Sequence, residues 1–279
     1  MKYTELIFSN NQQKIENEII IAYLGELGFE SFTEEDNFLF AYIPTEIFSE
    51  DTMLEFLGEK FSSVQITYKI SEVEEQNWNA VWEQNFDHVI IPGRCRIRAP
   101  FHEPDPAYPL EIIIEPKMSF GTAHHETTFM MMDLILDLDL AGKVILDVGS
   151  GTGILAILAA KLGASRILAI DNDDWAYRNA IENKSLNDAL QVEVLLGDAN
   201  SIPDESFDVI FANINRNILL RDMQLYIRQL KPGGLLLLSG FYEDDQNVIS
   251  VKTTELNLQR DRFLTKNRWM AEVFHLNSL

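Results

Sequence analysis

Val144-Ile145-Leu146-Asp147-Val148-Gly149-Ser150-Gly151-Thr152-Gly153 runs directly into ILAILAAKLGA at residues 154–164. An apolar, strand-like run ends in alternating glycines, and a helix-like run follows at once. Glycines let a backbone approach its neighbours closely, and the free amides of a helix start suit an anionic or polar group. Further apolar runs follow: RILAI at 166–170, VEVLL at 192–196, DVIFA at 208–212 and LLLLSG at 235–240, each separated by helix-like sequence. Continuous apolar strands alternating with helices imply a parallel sheet covered on both faces. The expectation is a doubly wound α/β domain. The last segment, Arg262 to His275, reads as a closing hairpin around Asn267 and Arg268.

The ligand of the glycine turn is decided by spacing. A dinucleotide fingerprint, G-x-G-x-x-G, needs its third glycine at position 154, which is Ile. The pattern here is D-x-G-x-G-x-G, which resembles motif I of the class I S-adenosylmethionine-dependent methyltransferases and implies their Rossmann-like fold. In that family the turn cradles the amino-acid end and the sugar of the cofactor. Asp171 ends the next strand, 22 residues after Gly149, where a carboxylate can accept both ribose hydroxyl protons. Asp198 ends the third strand in Leu196-Gly197-Asp198-Ala199, where such enzymes usually place an adenine contact. Either aspartate alone could be a helix cap; their order and separations favour the cofactor. The fourth strand ends in Phe211-Ala212-Asn213-Ile214-Asn215. Amine and amide methyltransferases often carry Asn or Asp here, followed by prolines and an aromatic residue. This chain keeps Asn213 and lacks the Pro-Pro-Tyr continuation, which argues against the nucleobase and glutamine methyltransferases.

Upstream lies Phe120-Gly121-Thr122-Ala123-His124-His125-Glu126-Thr127-Thr128, opening a Met-rich helix. Adjacent histidines beside a Glu suggest a metal, but the H-E-x-x-H spacing is absent and the expectation is no metal. Thr127 and Thr128 read as helix-start residues, and Met130, Met131 and Met132 as packing. The segments FGTAHHETT, DVGSGTGILAI and ANI together resemble the bacterial ribosomal protein L-eleven methyltransferases, whose markers are F-G-T-G-x-H-x-T-T, D-x-G-x-G-x-G-I-L-A-I and A-N-I. Ala123 stands where that family usually has Gly. The resemblance covers roughly residues 75–279, together with the layout of small N-terminal domain, linker helix and catalytic domain. It implies methyl transfer from S-adenosylmethionine to the N-terminal α-amine and lysine ε-amines of ribosomal protein L-eleven of the large subunit. Thr128, Gly149, Gly151, Asp171, Asp198 and Asn213 would line the cofactor, and Asn213 would also align the amine.

The first third of the chain reads differently. Strand-like and helix-like signals occur in the order β-α-β-β-α-β, that of a ferredoxin-like domain. Helical spacing links Ile15, Ile19, Ala22, Tyr23 and Leu27, and then Leu54, Leu57 and Phe61. Strands are expected at Tyr3 to Ser9, Phe29 to Phe32, Phe38 to Ile43 and Val64 to Ile70, with an acidic turn at residues 34–37. The expected division is a substrate-recognition domain at 1–71, a linker helix at 72–87 with Trp78, Val81 and Trp82 on one side, and the methyltransferase domain at 88–279.

Composition bounds the remaining choices. The 279 residues carry 44 acidic and 22 basic side chains, a net charge of −22. Residues 1–90 hold 18 acidic and 4 basic groups, about two-thirds of the excess. Such a field repels phosphate backbones, so no direct nucleic-acid partner is expected. A basic protein partner suits it, although solvation alone gives the same count. A single cysteine, Cys95, excludes an internal disulfide framework and a cysteine-based zinc site. No apolar run reaches membrane-spanning length and no signal-peptide core opens the chain, so a cytoplasmic location is expected. Two alternatives stay open. One is a class I methyltransferase acting on another amine or on RNA; the other is a non-catalytic cofactor-binding assembly protein.

Overall fold

In the computed structural model, which describes residues 3–9, 17–35, 38–60, 67–73, 87–117 and 120–277, the chain folds as two units, Met1–Phe86 and Asp87–Leu279. The first contains β1 (Tyr3–Ser9), α1 (Asn17–Glu26), β2 (Ser31–Glu35), β3 (Phe38–Pro44), α2 (Glu50–Lys60) and β4 (Tyr68–Val73). Its sheet has the order β2-β3-β1-β4 with every pair antiparallel. That is the expected ferredoxin-like arrangement. Alternation along the strands buries Leu6 and Phe8 of β1 and Leu39, Ala41 and Ile43 of β3, and these pack with Ile20 and Leu24 of α1 and Met53 and Leu57 of α2.

Several local readings shift. The buried stripe of α1 is Ile20 and Leu24, whereas Ile19 and Ala22 are exposed. The run IIIA is apolar on every side, so periodicity alone cannot choose which of its residues faces the sheet. Likewise Met53 and Leu57 carry α2 inward and Leu54 is exposed. β2 begins at Ser31, so Glu34 and Glu35 belong to the strand, and Phe29 is instead a buried residue ahead of it. β4 runs from Tyr68 to Val73 and so takes in Glu72. Ile15, Phe61 and the tryptophans of the expected linker helix lie outside the described residues.

The second unit begins with a small sheet of β5 (Val89–Ile91), β6 (Cys95–Arg98) and β7 (Glu111–Ile113). Then come α3 (Glu126–Ile135), β8 (Val144–Val148), α4 (Ile154–Lys161), β9 (Arg166–Asp171), α5 (Asp174–Leu186), β10 (Val192–Leu196), β11 (Phe207–Asn213), α6 (Arg216–Gln229), β12 (Leu230–Tyr242), α7 (Gln246–Glu255), β13 (Leu258–Lys266) and β14 (Trp269–Leu276). Seven strands form one sheet in the order β10-β9-β8-β11-β12-β14-β13. β10 to β12 are parallel, and β14 is antiparallel to both of its neighbours. The hairpin joining β13 to β14 turns at Asn267 and Arg268, both with positive φ.

Both faces of the sheet are buried, as the continuous apolar strands require. Ile145, Ile167, Ala169, Val209 and Phe211 pack with α3 and α4. Leu146, Leu168, Ile170, Ile210 and Ala212 pack with Leu219, Met223 and Tyr226 of α6. The order reverses at β8, with β9 on one side and β11 on the other. In an open α/β sheet the crevice outside the strand C-termini at such a reversal is where ligands bind. Every expected site residue except Thr128 lies at or just beyond the C-terminal end of β8, β9, β10 or β11.

Candidate active site

The glycine turn after β8 adopts left-handed backbone, with φ of 68° at Gly149 and 55° at Gly151. A Cβ on Gly149 would lie 2.2 Å from Ile214 Cγ2, and one on Gly151 would lie 2.3 Å from the Phe120 carbonyl oxygen. The glycines thus admit the chain's own segments as much as any ligand. Thr152 N donates to Phe120 O at 2.9 Å, and Thr152 Oγ1 donates to Gly121 O at 2.6 Å. The FGT segment is laced to the turn in this way. Ser150 Oγ, within the turn, is buried and has no hydrogen-bond partner among the described residues. A buried hydroxyl with no protein partner is costly, and a bound polar ligand would satisfy it.

Below the turn, Asp147 is fully enclosed and accepts the Ala156 N–H at 3.1 Å. Burial, opposed by that N–H and aided by the charge of Asp171, pushes its carboxyl up to about 7. The sequence shows Asp147 in the motif but gives no hint of this enclosure.

Asp171 ends β9 beside the turn. Its Oδ2 accepts from Gly151 N at 2.8 Å and its Oδ1 from Asp173 N at 3.0 Å. Each carboxylate oxygen keeps a further lone pair, so both can still accept from hydroxyls. Asp198 caps a short 3-10 turn, Ala199–Ser201, through Asn200 N at 2.9 Å. That N–H, with the Asn200 side chain, holds the exposed carboxylate below its ordinary range. Asp198 therefore is the cap that an aspartate after a strand often is, and it stands next to Gly197, whose N–H donates to Asp171 O at 2.8 Å.

Thr128 lies in the first turn of α3, buried, and Asn213 Nδ2 donates to its Oγ1 at 3.3 Å. The helix starts where His125 Nδ1 accepts from Thr127 N at 3.3 Å. Met130, Met131 and Met132 are buried in the core, as packing residues should be. Ahead of the cap, Ala123 adopts φ 66° and is buried. Among the described residues no group of three His, Cys, Asp or Glu could hold a metal. Burial pushes the Cys95 thiol up to about 12, which keeps it in its unreactive form.

A positioning residue missed at the sequence level is Asn183 of α5. It is wholly buried, accepts from Glu115 N at 2.8 Å and donates to Thr152 O at 2.9 Å. One helical turn on, Asn187 makes both bonds to Ile113, accepting from its N–H at 2.9 Å and donating to its carbonyl oxygen at 2.6 Å. Asparagines four apart on a helix were the available signal.

The profile of the family described as ribosomal protein L11 methyltransferase (PrmA) matches residues 7–276. The chain belongs to the ribosomal protein L11 methyltransferase family. It is an S-adenosylmethionine-dependent methyltransferase, and a family relative from Porphyromonas gingivalis is 48% identical over 92% of this chain and 90% of its own. A second, from Bacteroides fragilis, is 43% identical over 99% of this chain and 100% of its own. Both are named ribosomal protein L11 methyltransferase. A solved ribosomal protein L11 methylase from Lactobacillus delbrueckii subsp. bulgaricus superposes with a TM-score of 0.64 at 28% identity, covering 69% of this chain and all of that one. The residues present fit the family's cofactor. The turn offers an unsatisfied buried hydroxyl, and Asp171 offers a carboxylate with acceptor capacity to spare.

Proposed function

We propose that this enzyme methylates the N-terminal α-amine and lysine ε-amines of ribosomal protein L11. The observation that carries the amine reading is the Asn213–Thr128 pair. Asn213 spends its Nδ2 on Thr128, which fixes the amide plane and leaves Oδ1 to accept from an incoming amine N–H.

When bound, S-adenosylmethionine supplies an electrophilic methyl carbon on a positively charged sulfur. Gly149, Ser150 and Gly151 would hold its amino-acid end, Asp171 would accept from its ribose hydroxyls, and Asp198 would serve the adenine. The part left to the chain's own residues is to bring the acceptor nitrogen, unprotonated, into line with that methyl group, and Asn213 Oδ1 would orient it by accepting one of its N–H groups. A lysine amine has an ordinary pKa of about 10.4 and must first lose a proton to water. Desolvation beside a sulfonium favours that loss, so a dedicated base is not required. What the residues contribute is alignment, which is worth roughly 7–11 kcal/mol in well-oriented systems.

The N-terminal unit is the recognition module in this reading, with residues 1–71 holding the protein substrate and 72–87 joining them to the catalytic part at 88–279. Its acidic excess suits a basic ribosomal protein. Among the described residues no helix is long and apolar enough to cross a membrane. The test is transfer of labelled methyl groups into a ribosomal extract, where a single basic protein band is expected. Label in RNA would favour the other methyltransferase reading.

A further inference from the structure

Four rings make a chain of contacts that passes through His125 at the start of α3. Phe120 and His125 lie 6.2 Å apart between ring centroids, His125 and Trp269 4.9 Å, and Trp269 and Tyr242 3.9 Å with an interplanar angle of 30°. The line starts at the glycine turn, where the Phe120 backbone is bonded to Thr152. It ends at the C-terminal end of β12, where Tyr242 pairs in register with Trp269. His125 is the cap of α3 and Thr128 follows within the first turn, about 4.5 Å along the axis.

We infer that Phe120, His125, Trp269 and Tyr242 form a wall that binds the alkylammonium head of the acceptor residue, and binds it more tightly as methyl groups are added. This inference rests on the amine reading above. A packing cluster would bury its rings, yet Phe120 is 81% exposed and Tyr242 45% exposed. Aromatic faces attract ammonium cations, and methylation strips the hydration that competes with that attraction, which is how methyl-lysine cages work.

The surrounding charge favours a cation. Glu126, adjacent to His125, accepts from Asn267 Nδ2 at 2.7 Å, and that bond helps to keep the carboxylate ionised. The flanking cations are engaged already, Arg216 with Asp245 and Arg268 with Asp244. Lys266 lies over the ring of Phe129, 4.0 Å from its centroid. A wall of this kind gives successive methylation a physical basis. The amine leaves less readily after each transfer, and its proton is again lost to water before the next attack.

The test uses the full-length protein with S-adenosylhomocysteine and two short peptides that differ only in an unmodified or trimethylated lysine. Calorimetry should show the trimethylated peptide binding about three- to tenfold more tightly. Tyr242→Leu, at an exposed position, should reduce that preference. Trp269→Leu should abolish it and Trp269→Phe should restore most of it. Equal binding of the two peptides by the unaltered protein would overturn the inference, as would a preference untouched in both leucine variants. Labelled transfer to purified L11, run in parallel, separates the two ideas. L11 labelled without any peptide preference removes the wall alone, whereas L11 unlabelled removes the amine reading and the wall together.

Discussion

Asn213 at the end of β11 and Thr128 in the first turn of α3 are 85 residues apart in sequence and are joined by a hydrogen bond of 3.3 Å. The bond links the sheet to the helix that carries the FGTAHHETT segment. In the proposed reading it also sets which face of the Asn213 amide meets the acceptor amine. Thr128→Val keeps the shape and removes the bond. It should lower the methyl-transfer rate at saturating cofactor about ten- to a hundredfold with the fold intact, because small misplacements of an aligned group carry penalties of that order. Asn213→Ala should lower the rate at least as far. Single-turnover kinetics check both, and an unchanged rate in either variant removes that residue from the alignment.

Asp171 serves the turn and, in the proposed reading, the ribose as well. Asp171→Asn retains one acceptor for Gly151 and loses the charge. Cofactor affinity should fall roughly tenfold or more, since hydrogen bonds to charged groups exceed neutral ones by about 1–2 kcal/mol. Titration calorimetry on the folded variant measures this. An unchanged affinity would show that the carboxylate serves the turn alone.

Asp147 sets a pH dependence of stability. Its folded carboxyl holds a proton up to about 7, whereas an ordinary aspartate releases it near 3.8. Between those values the unfolded chain binds fewer protons, so stability from this group is full below the lower value and is lost as pH rises through the higher. Asp147→Asn cannot ionise and should flatten that decline. Denaturant midpoints at about pH 5 and about pH 8 for both proteins provide the comparison. The decline should be smaller in the variant.

Ala123 shows how a departure from the family marker is tolerated. Left-handed backbone costs a non-glycine residue about 1–2 kcal/mol. Glycine would relieve that cost, but it loses roughly 0.5–1 kcal/mol in chain entropy and about 0.8 kcal/mol of buried methyl. The terms nearly cancel. Ala123→Gly should therefore change stability by less than about 1 kcal/mol, whereas Ala123→Val, branched and buried at positive φ, should cost about 3 kcal/mol. Equilibrium unfolding of both variants distinguishes these outcomes.

The catalytic fold was readable because its strands are continuous apolar runs with glycine or aspartate at their ends, a pattern that only a doubly covered parallel sheet satisfies. The N-terminal order of elements was readable for a similar reason. Its helix faces were not, since IIIA in α1 is apolar all round and the sheet chooses Ile20 over Ile19. Local motifs singled out Gly149, Gly151, Asp171, Asp198 and Asn213, and the fold brings them to the C-terminal ends of β8, β9, β10 and β11. The Asn213–Thr128 bond, the Asn183 strap and the ring line from Phe120 to Tyr242 join segments far apart in sequence, and no local spacing encodes them.

Amine methylation of one ribosomal protein is read most directly on that protein itself. Purified L11 should be incubated with the enzyme and S-adenosylmethionine, and its intact mass and fragment masses recorded. Gains of whole methyl groups are expected on the N-terminal amine and on lysine side chains, with a gain smaller by roughly tenfold or more when the Asn213→Ala variant is used for the same interval. An unmodified L11 mass, under conditions where the enzyme consumes cofactor on RNA or on a small amine, would contradict it.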